Sequence, residues 1–124
     1  MNLPIVDFQT AKDLKELGFD CQTQKIYSQD GFVWDKSLKY SPHFSGINAP
    51  TQVEVVKWLR DEHEIFVGID VDDLKWSFCL LDISHFIDEY DYPTLCPSYA
   101  GHDTYESAEL SGIKKAIEIL KERS

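Results

Sequence analysis

The chain contains few basic residues, and this shortage argues against a nucleic-acid-binding protein. Lys and Arg account for 12 of the 124 residues and Asp and Glu for 22, so the formal net charge is −10. Such a charge repels phosphate backbones at long range. Direct nucleic-acid binding is therefore not expected, whereas binding to a basic protein surface stays open.

Cysteine is also scarce. The three cysteines, Cys21, Cys79 and Cys96, are odd in number and widely spaced. This pattern predicts neither a disulfide framework nor a metal-binding CxxC ribbon. We expect three reduced thiols.

Long apolar runs are missing. No run approaches the roughly 20 residues that a helix needs to span a bilayer. The first residues, MNLPIVDF, also lack the basic region and the long apolar stretch of a signal peptide. We therefore expect no membrane association and a cytoplasmic location.

The sequence contains no GxGxxG, P-loop, GxSxG or HExxH motif. These motifs mark dinucleotide-binding proteins, nucleotide hydrolases, serine hydrolases and zinc proteases. Their absence predicts no catalytic residue of these classes, and we expect neither a cofactor nor a bound metal.

Apolar residues make up 43% of the chain, which is enough for one continuous core at this length. We therefore predict a single domain over residues 1–124. Hydrophobic periodicity and helix caps predict the order α-β-β-α-β-β-α. This is an α+β fold, an antiparallel sheet of about four strands with the helices packed on one face. The helices are expected at Thr10–Leu17, at Thr51–His63 and from Asp103 or Thr104 to Lys121.

Turn chemistry predicts two hairpins. The dipeptide Asp30-Gly31 suits a two-residue loop, which pairs Tyr27 with Trp34. A second turn at Asp72-Asp73 places the apolar residues of both flanking strands on one face. It pairs Val71 with Leu74, Ile69 with Trp76, Val67 with Phe78 and Ile65 with Leu80.

The second and third helices carry recognisable packing faces. In the second helix, apolar residues recur at helical spacing, and the face comprises Val53, Val56 and Leu59, broadened by Val55 and Trp58. In the third helix, Ala108, Gly112 and Ala116 form a stripe of small residues that permits close approach to a sheet. His63 is expected to have a structural role at its helix end, where a cation complements the helix dipole.

Potential ligands and nucleophiles concentrate between the second hairpin and the last helix. The best metal candidates are His85, Asp88, Cys96 and His102, because metal sites need convergent nitrogen, oxygen or sulfur ligands. Their spacing matches no recognised ligand pattern, so we predict no metal site. Cys96 and His102 could also act as nucleophile and base. A small metal-dependent or cysteine hydrolase therefore stays open as an alternative function.

Residues 84–102 form a long connection for a compact domain, which indicates either a short edge strand or a functional loop. The segment is rich in Tyr and acidic residues, and Tyr is enriched in interface hot spots. We therefore predict a partner-binding surface formed by Phe86, Asp88, Glu89, Tyr90, Asp91, Tyr92 and Tyr99. A continuous stripe of carboxylates would instead indicate an acidic mimic of nucleic acid that inhibits a host defence enzyme.

Residues 49–122 contain several short motifs in a fixed order. They are APTQ at 49–52, WLR at 58–60 with His63, a predicted hairpin, and YESA at 105–108 followed by Gly112 and AIEIL. This pattern resembles a group of small phage and prophage proteins of unknown function. Their helices look like "APTQ…WLR..H" and "YEEAL…G…EAL", and Ser107 stands where a second Glu is usual. The resemblance implies an accessory protein of phage or prophage type and no catalytic residue. With no catalytic motif present, we predict a non-enzymatic protein-binding module that uses a sheet edge or the acidic aromatic loop.

Overall fold

A computed structural model describes residues 3–35, 46–85 and 91–123, without the side chains of residues 72 and 97–100. The chain divides into two compact units, Met1–Thr51 and Gln52–Ser124. The single domain over residues 1–124 stays a prediction. No helix in the described part of the chain is both long enough and apolar enough to cross a membrane.

The first unit contains one helix and a small antiparallel sheet. Its elements are α1 (Phe8–Glu16), β1 (Lys25–Tyr27), β2 (Val33–Asp35) and β3 (Ile47–Ala49), with the strand order β2-β1-β3. A single bridge between Ile5 and Thr51 extends the sheet beside β3. The helix packs on β3 through buried Ala11 and Leu14. The helix begins earlier than predicted because Asp7, rather than Thr10, occupies the N-cap position. The Asp7 carboxylate accepts a hydrogen bond from the Thr10 hydroxyl group.

The predicted register of the first hairpin is wrong by one residue. Tyr27 pairs with Val33, not with Trp34. The loop has three residues instead of two, since the Ser28 amide donates to the Phe32 carbonyl at 2.8 Å. Gly31 closes the loop at φ +87°, a left-handed conformation that glycine adopts readily.

The second unit contains two helices and a second antiparallel sheet. Its elements are α2 (Gln52–His63), β4 (Ile65–Asp72), β5 (Lys75–Asp82), β6 (Thr94–His102) and α3 (Tyr105–Arg123), with the strand order β4-β5-β6. Helix α3 packs across all three strands, and α2 packs on β4 and α3. The α+β class with helices packed on antiparallel sheet is confirmed. Among the described residues, however, each predicted hairpin belongs to its own sheet and gains a third strand, β3 or β6.

The second hairpin keeps its predicted faces but not its predicted partners. Val71 pairs with Trp76, Ile69 with Phe78 and Val67 with Leu80, so each predicted pair is shifted by two residues. A shift of two preserves the alternation, and Ile65, Val67, Phe78 and Leu80 are buried together as expected. The turn moves to Asp73 and Leu74 as a consequence.

The helix faces agree with the prediction in α3 and differ in α2. Ala108, Gly112 and Ala116 are all buried in α3. In α2 the buried residues are Gln52, Val55, Trp58 and Leu59, whereas Val53 is 54% exposed. The buried face of α2 is therefore displaced by one residue and includes a polar side chain at its start. His63 ends the helix, and its ring lies 4.4 Å from that of Trp58, edge to face. Its predicted role toward the helix dipole stays a prediction.

Candidate functional site

The tip of the β4–β5 hairpin has an unusual turn. Both central residues have left-handed backbone angles, with φ 46° at Asp73 and φ 65° at Leu74. Asp tolerates this region, but a leucine there is uncommon because its Cβ crowds the carbonyl oxygen. Leu74 is also 93% exposed, so its side chain gains nothing from burial. The turn thus exposes an apolar side chain to solvent and holds it in a backbone conformation that is unfavourable for leucine.

Three further apolar side chains lie next to this turn. Val71 is 50% exposed and is the cross-strand partner of Trp76. The Trp76 ring meets the ring of Tyr105 edge to face at 5.5 Å, and Tyr105 is 42% exposed. Helix α3 begins at Tyr105, so the first turn of this helix lies beside the tip of the β4–β5 hairpin. We name Val71, Leu74, Trp76 and Tyr105 the hairpin-tip patch.

Charged residues surround the hairpin-tip patch, and most of them are acidic. Asp73 lies in the turn, while Asp103 and Glu106 lie at the start of α3, and all three are exposed. The Lys75 ammonium group forms an ion pair with Asp103. The hydrogen bond from the Lys75 ammonium group, and its positive charge, lower the pKa of the Asp103 carboxyl group. The rim of the patch is therefore negatively charged.

A buried polar cluster lies beneath Tyr105. Glu109, one helical turn further along α3, is 6% exposed, and Gln52 at the start of α2 is 3% exposed. In the amide orientation that satisfies its neighbours, the Gln52 side chain donates to Glu109 Oε1 at 3.0 Å and to the Glu106 carbonyl oxygen at 3.2 Å. Glu109 and Gln52 therefore connect the first turns of α2 and α3.

The electrostatic environment of Glu109 disfavours its charge. Burial raises the pKa of this carboxyl group most strongly, and the charge of Glu106 raises it further. The hydrogen bond from Tyr105 acts in the opposite direction but does not compensate. Burial also raises the pKa of Tyr105, with added contributions from Glu109 and Glu106. Such shifts are concentrated at functional sites, although structural networks produce them too.

The sequence patterns did not predict this cluster, although Gln52 and Tyr105 belong to the two most recognisable motifs. Gln52 ends APTQ, and Tyr105 opens YESA. The available signal was the spacing of Gln52, Val55 and Leu59, which lie three and four residues apart along one helix face. A polar residue at such a position must find a buried partner.

The residues proposed for hydrolase chemistry are not brought together. Cys96 is buried opposite Leu80, whereas His102 lies opposite Trp76. Their partners on β5, Leu80 and Trp76, are four residues apart, which corresponds to about 13 Å along a strand. His85 follows β5 and contacts the Ser84 hydroxyl oxygen at 3.0 Å. In the described part of the chain, no group of three His, Cys, Asp or Glu side chains could hold a metal ion.

His102 instead contributes to the start of α3. Its Nδ1 atom lies 3.3 Å from the Ser107 hydroxyl oxygen, and its ring lies 6.0 Å from that of Phe78. The Ser107 amide donates to the Thr104 hydroxyl oxygen at 3.0 Å, which is N-cap geometry. This arrangement is consistent with a local structural role for His102.

The predicted partner-binding residues lie partly outside the described residues, as Phe86, Asp88, Glu89 and Tyr90 do. Asp91 and Tyr92 are neighbours just before β6. Thr94, at the start of β6, pairs with Leu81, at the end of the hairpin opposite to the patch. Residues 94–102 form an edge strand, and the Tyr99 backbone pairs with Phe78. The acidic aromatic loop thus stays a prediction, and Asp91 and Tyr92 lie near the end of the hairpin opposite to the patch.

Comparisons of the chain with protein-family models, with curated proteins and with solved structures give no match. The resemblance to small phage and prophage proteins therefore stays a prediction.

Proposed function

We propose that the chain is a non-enzymatic accessory protein of phage or prophage type that binds another protein through the hairpin-tip patch. The observation that carries this proposal is Leu74, an almost fully exposed leucine held in a left-handed turn conformation. It adjoins the rings of Trp76 and Tyr105, and Trp and Tyr are enriched in interface hot spots.

The energetics of Leu74 support a role in binding. A left-handed conformation costs a residue other than glycine roughly 1–2 kcal/mol. In the free protein this cost is not offset, because the side chain is 93% exposed. Full burial of a leucine against a partner contributes about 1.5–3 kcal/mol. The side chain is therefore favourable only in a complex.

The charges around the patch indicate the chemistry of the partner. Asp73, Asp103 and Glu106 lie around an apolar centre, Lys75 offsets the charge of Asp103, and the whole chain carries a formal charge of −10. Complementary potentials accelerate association and exclude partners of like charge. The partner we propose is a protein with an apolar depression bordered by Lys or Arg.

The alternative functions have less support. The hydrolase would need Cys96 and His102 together, and their positions along β6 separate them. The nucleic-acid mimic would need a continuous carboxylate stripe. The described acids are distributed over all three helices and both hairpins, and several are paired with cations, for example Asp61 with Lys57 and Asp103 with Lys75.

Affinity capture from a lysate of the bacterial host tests the proposal. The bait is the wild-type chain, with Leu74→Asp as the test variant and Leu3→Asp as the matched control, because Leu3 is an exposed leucine of the first unit. We expect a protein that wild type and control both retain, with a loss of at least about tenfold for Leu74→Asp. Capture should also weaken as salt rises from about 0.1 M to 1 M.

The same assay separates the patch from the acidic aromatic loop. Tyr90→Ala combined with Tyr92→Ala should leave the partner bound if the hairpin-tip patch is the interface. Equal capture by wild type and Leu74→Asp, together with loss in the loop variant, would assign binding to the loop instead.

A further inference from the structure

A shallow groove of about 290 Å³ lies between α3 and β5 in the second unit. It is lined by Ser111, Lys114, Lys115 and Glu118 of the helix and by Phe78 of the strand. The four helix residues lie three and four positions apart, so they share one face of α3. This face flanks the stripe of small residues that packs on the sheet. We name these five residues the α3 groove.

The packing of α3 explains the apolar floor of the α3 groove. Phe78 is 6% exposed, and a Cβ atom on Gly112 would stand 3.3 Å from its ring. The helix backbone therefore lies close to this ring. Phe78 still lines the groove, because the side chain of Ser111, the residue next to Gly112, is short. The groove thus combines a small aromatic floor with the aliphatic stems of two lysines.

The rim of the α3 groove is basic, although the chain as a whole is acidic. Lys114-Lys115 is the only pair of adjacent basic residues in a sequence with a formal charge of −10. Lys115 forms an ion pair with Glu118 at 3.3 Å. Two lysines and one acid leave the groove with a formal charge of +1. The groove is therefore a local exception to the negative charge of the chain.

The α3 groove and the hairpin-tip patch complement each other in shape and in charge. The patch projects the exposed side chain of Leu74 from a turn, whereas the groove is concave and has Phe78 at its floor. Three acids and Lys75 leave a formal charge of −2 around the patch, opposite in sign to the groove. Complementary potentials accelerate association and fix its orientation. The groove is thus an apolar depression bordered by lysines, which is the surface that the patch requires.

The patch and the groove of one copy cannot meet. Tyr105, in the patch, precedes Lys115 by ten residues on α3, which corresponds to about 15 Å along the helix axis. Strands β4 and β5 are paired as far as Asp72 and Lys75, so the hairpin does not fold back toward the groove. A contact between patch and groove therefore joins two copies. It is heterologous, because each copy contributes a different surface.

We propose that a second copy of this chain covers the hairpin-tip patch, with Leu74 of one copy inserted into the α3 groove of the other. The inference rests on the proposed function in that it takes the patch as a binding surface, and it assigns an occupant to that surface in the free protein. A partner that binds Leu74 then competes with self-association. A contact this small predicts a weak and reversible complex.

Analytical ultracentrifugation of the purified protein tests the inference without any partner. We expect wild type to associate as its concentration rises from about 10 μM to about 1 mM, the affinity range of weak contacts. Leu74→Asp and Lys115→Glu should each weaken this association at least about tenfold. Lys57→Glu is the matched control and should associate like wild type. Lys57 is also a helical lysine in an ion pair with an acid, Asp61, but it lies on α2.

A mixture of the two defective variants tests directly whether the patch pairs with the groove. The Lys115→Glu copy keeps an intact patch, and the Leu74→Asp copy keeps an intact groove. An equimolar mixture should therefore form a one-to-one complex at a concentration at which each variant alone is monomeric. This complex would also show that both variants are folded.

Three results would overturn the inference: a wild type that stays monomeric over the whole range, association that Lys115→Glu leaves unchanged, or a mixture without a complex. Association that is lost in Leu74→Asp but kept in Lys115→Glu would indicate that two patches meet each other. If wild type is monomeric while capture from the host lysate is lost in Leu74→Asp, the inference fails and the proposed function stands. If self-association needs Leu74 and Lys115 while Leu74→Asp retains the captured partner, the inference stands and the proposed function fails.

Discussion

Gly112 on α3 lies so close to Val67 on β4 that a Cβ atom on the glycine would stand 2.9 Å from Val67 Cγ1. Phe78 would be the next contact, at 3.3 Å. The glycine thus sets the distance between the helix and the strands that carry the hairpin-tip patch.

Gly112→Ala should lower the free energy of unfolding by about 1 kcal/mol. Overpacking costs about 1–3 kcal/mol, and the better helix propensity of alanine returns about 1 kcal/mol. Val67 is β-branched and cannot easily rotate away. Urea unfolding measures the difference, and Ser111→Ala at the adjacent half-buried position is the control. An unchanged or higher stability in Gly112→Ala would contradict the close packing.

Leu74→Gly should raise the free energy of unfolding by about 0.5–1 kcal/mol while it removes partner capture. Glycine relieves a left-handed cost of about 1–2 kcal/mol, less its own entropic cost of about 0.5–1 kcal/mol. Leu3→Gly is the control, since Leu3 is exposed but has no positive φ. A less stable Leu74→Gly variant would mean that Leu74 contributes packing in the free protein.

The pH dependence of stability should carry the signature of Glu109, whose pKa is raised by burial in the folded state. Folding then takes up a proton between the unfolded and folded pKa values. The stability contributed by this group is complete below the unfolded value, about 4.3, and is lost as the pH rises through the folded value. Glu109→Gln should therefore be more stable than wild type at pH 7, and its advantage should shrink on acidification.

Thermal or urea unfolding across this pH range checks the prediction. Glu106→Gln, which removes an exposed acid from the same helix, should keep this pH dependence but move it to lower pH, because the Glu106 charge raises the pKa of Glu109. A constant difference between Glu109→Gln and wild type at every pH would show that Glu109 does not titrate as the structure requires.

The three thiols should react with a colorimetric thiol reagent in the order of their exposure. Cys21 is exposed, Cys79 is half-buried and Cys96 is buried. We expect rapid modification of Cys21, slower modification of Cys79 and no reaction of Cys96 until denaturant unfolds the chain. Rapid reaction of Cys96 in the native protein would revive the cysteine hydrolase, since a nucleophile must be accessible.

Local patterns predicted much of the second unit because its signals are periodic and redundant. The alternation around Val67 and Phe78 defined the buried face, and this result survived a two-residue error in register because the side-chain period is two. The small-residue stripe of α3 was likewise readable from spacing. The exact turn was not readable, because the observed turn places Leu74 in a conformation that turn preferences disfavour.

The candidate site could not be predicted because it depends on contacts distant in sequence. Gln52 and Glu109 meet only after α2 and α3 pack together, and neither residue carries a local signal of its partner. The exposure of Leu74 follows from the shifted turn. The register of the first hairpin was predicted wrongly because Asp30-Gly31 suits both two-residue and three-residue loops. In the structure, Gly31 is the last residue of a three-residue loop.

Site-specific photo-crosslinking in the host lysate tests most directly whether the hairpin-tip patch binds a partner protein. A photoreactive amino acid replaces Leu74 in one variant and Val53 in the other, since Val53 is an exposed apolar residue on α2 outside the hairpin-tip patch. If the hairpin-tip patch binds the partner, we expect one discrete crosslinked protein from position 74 and none from position 53. The same crosslinked proteins from both positions, or none from position 74 while affinity capture still recovers a partner, would contradict it.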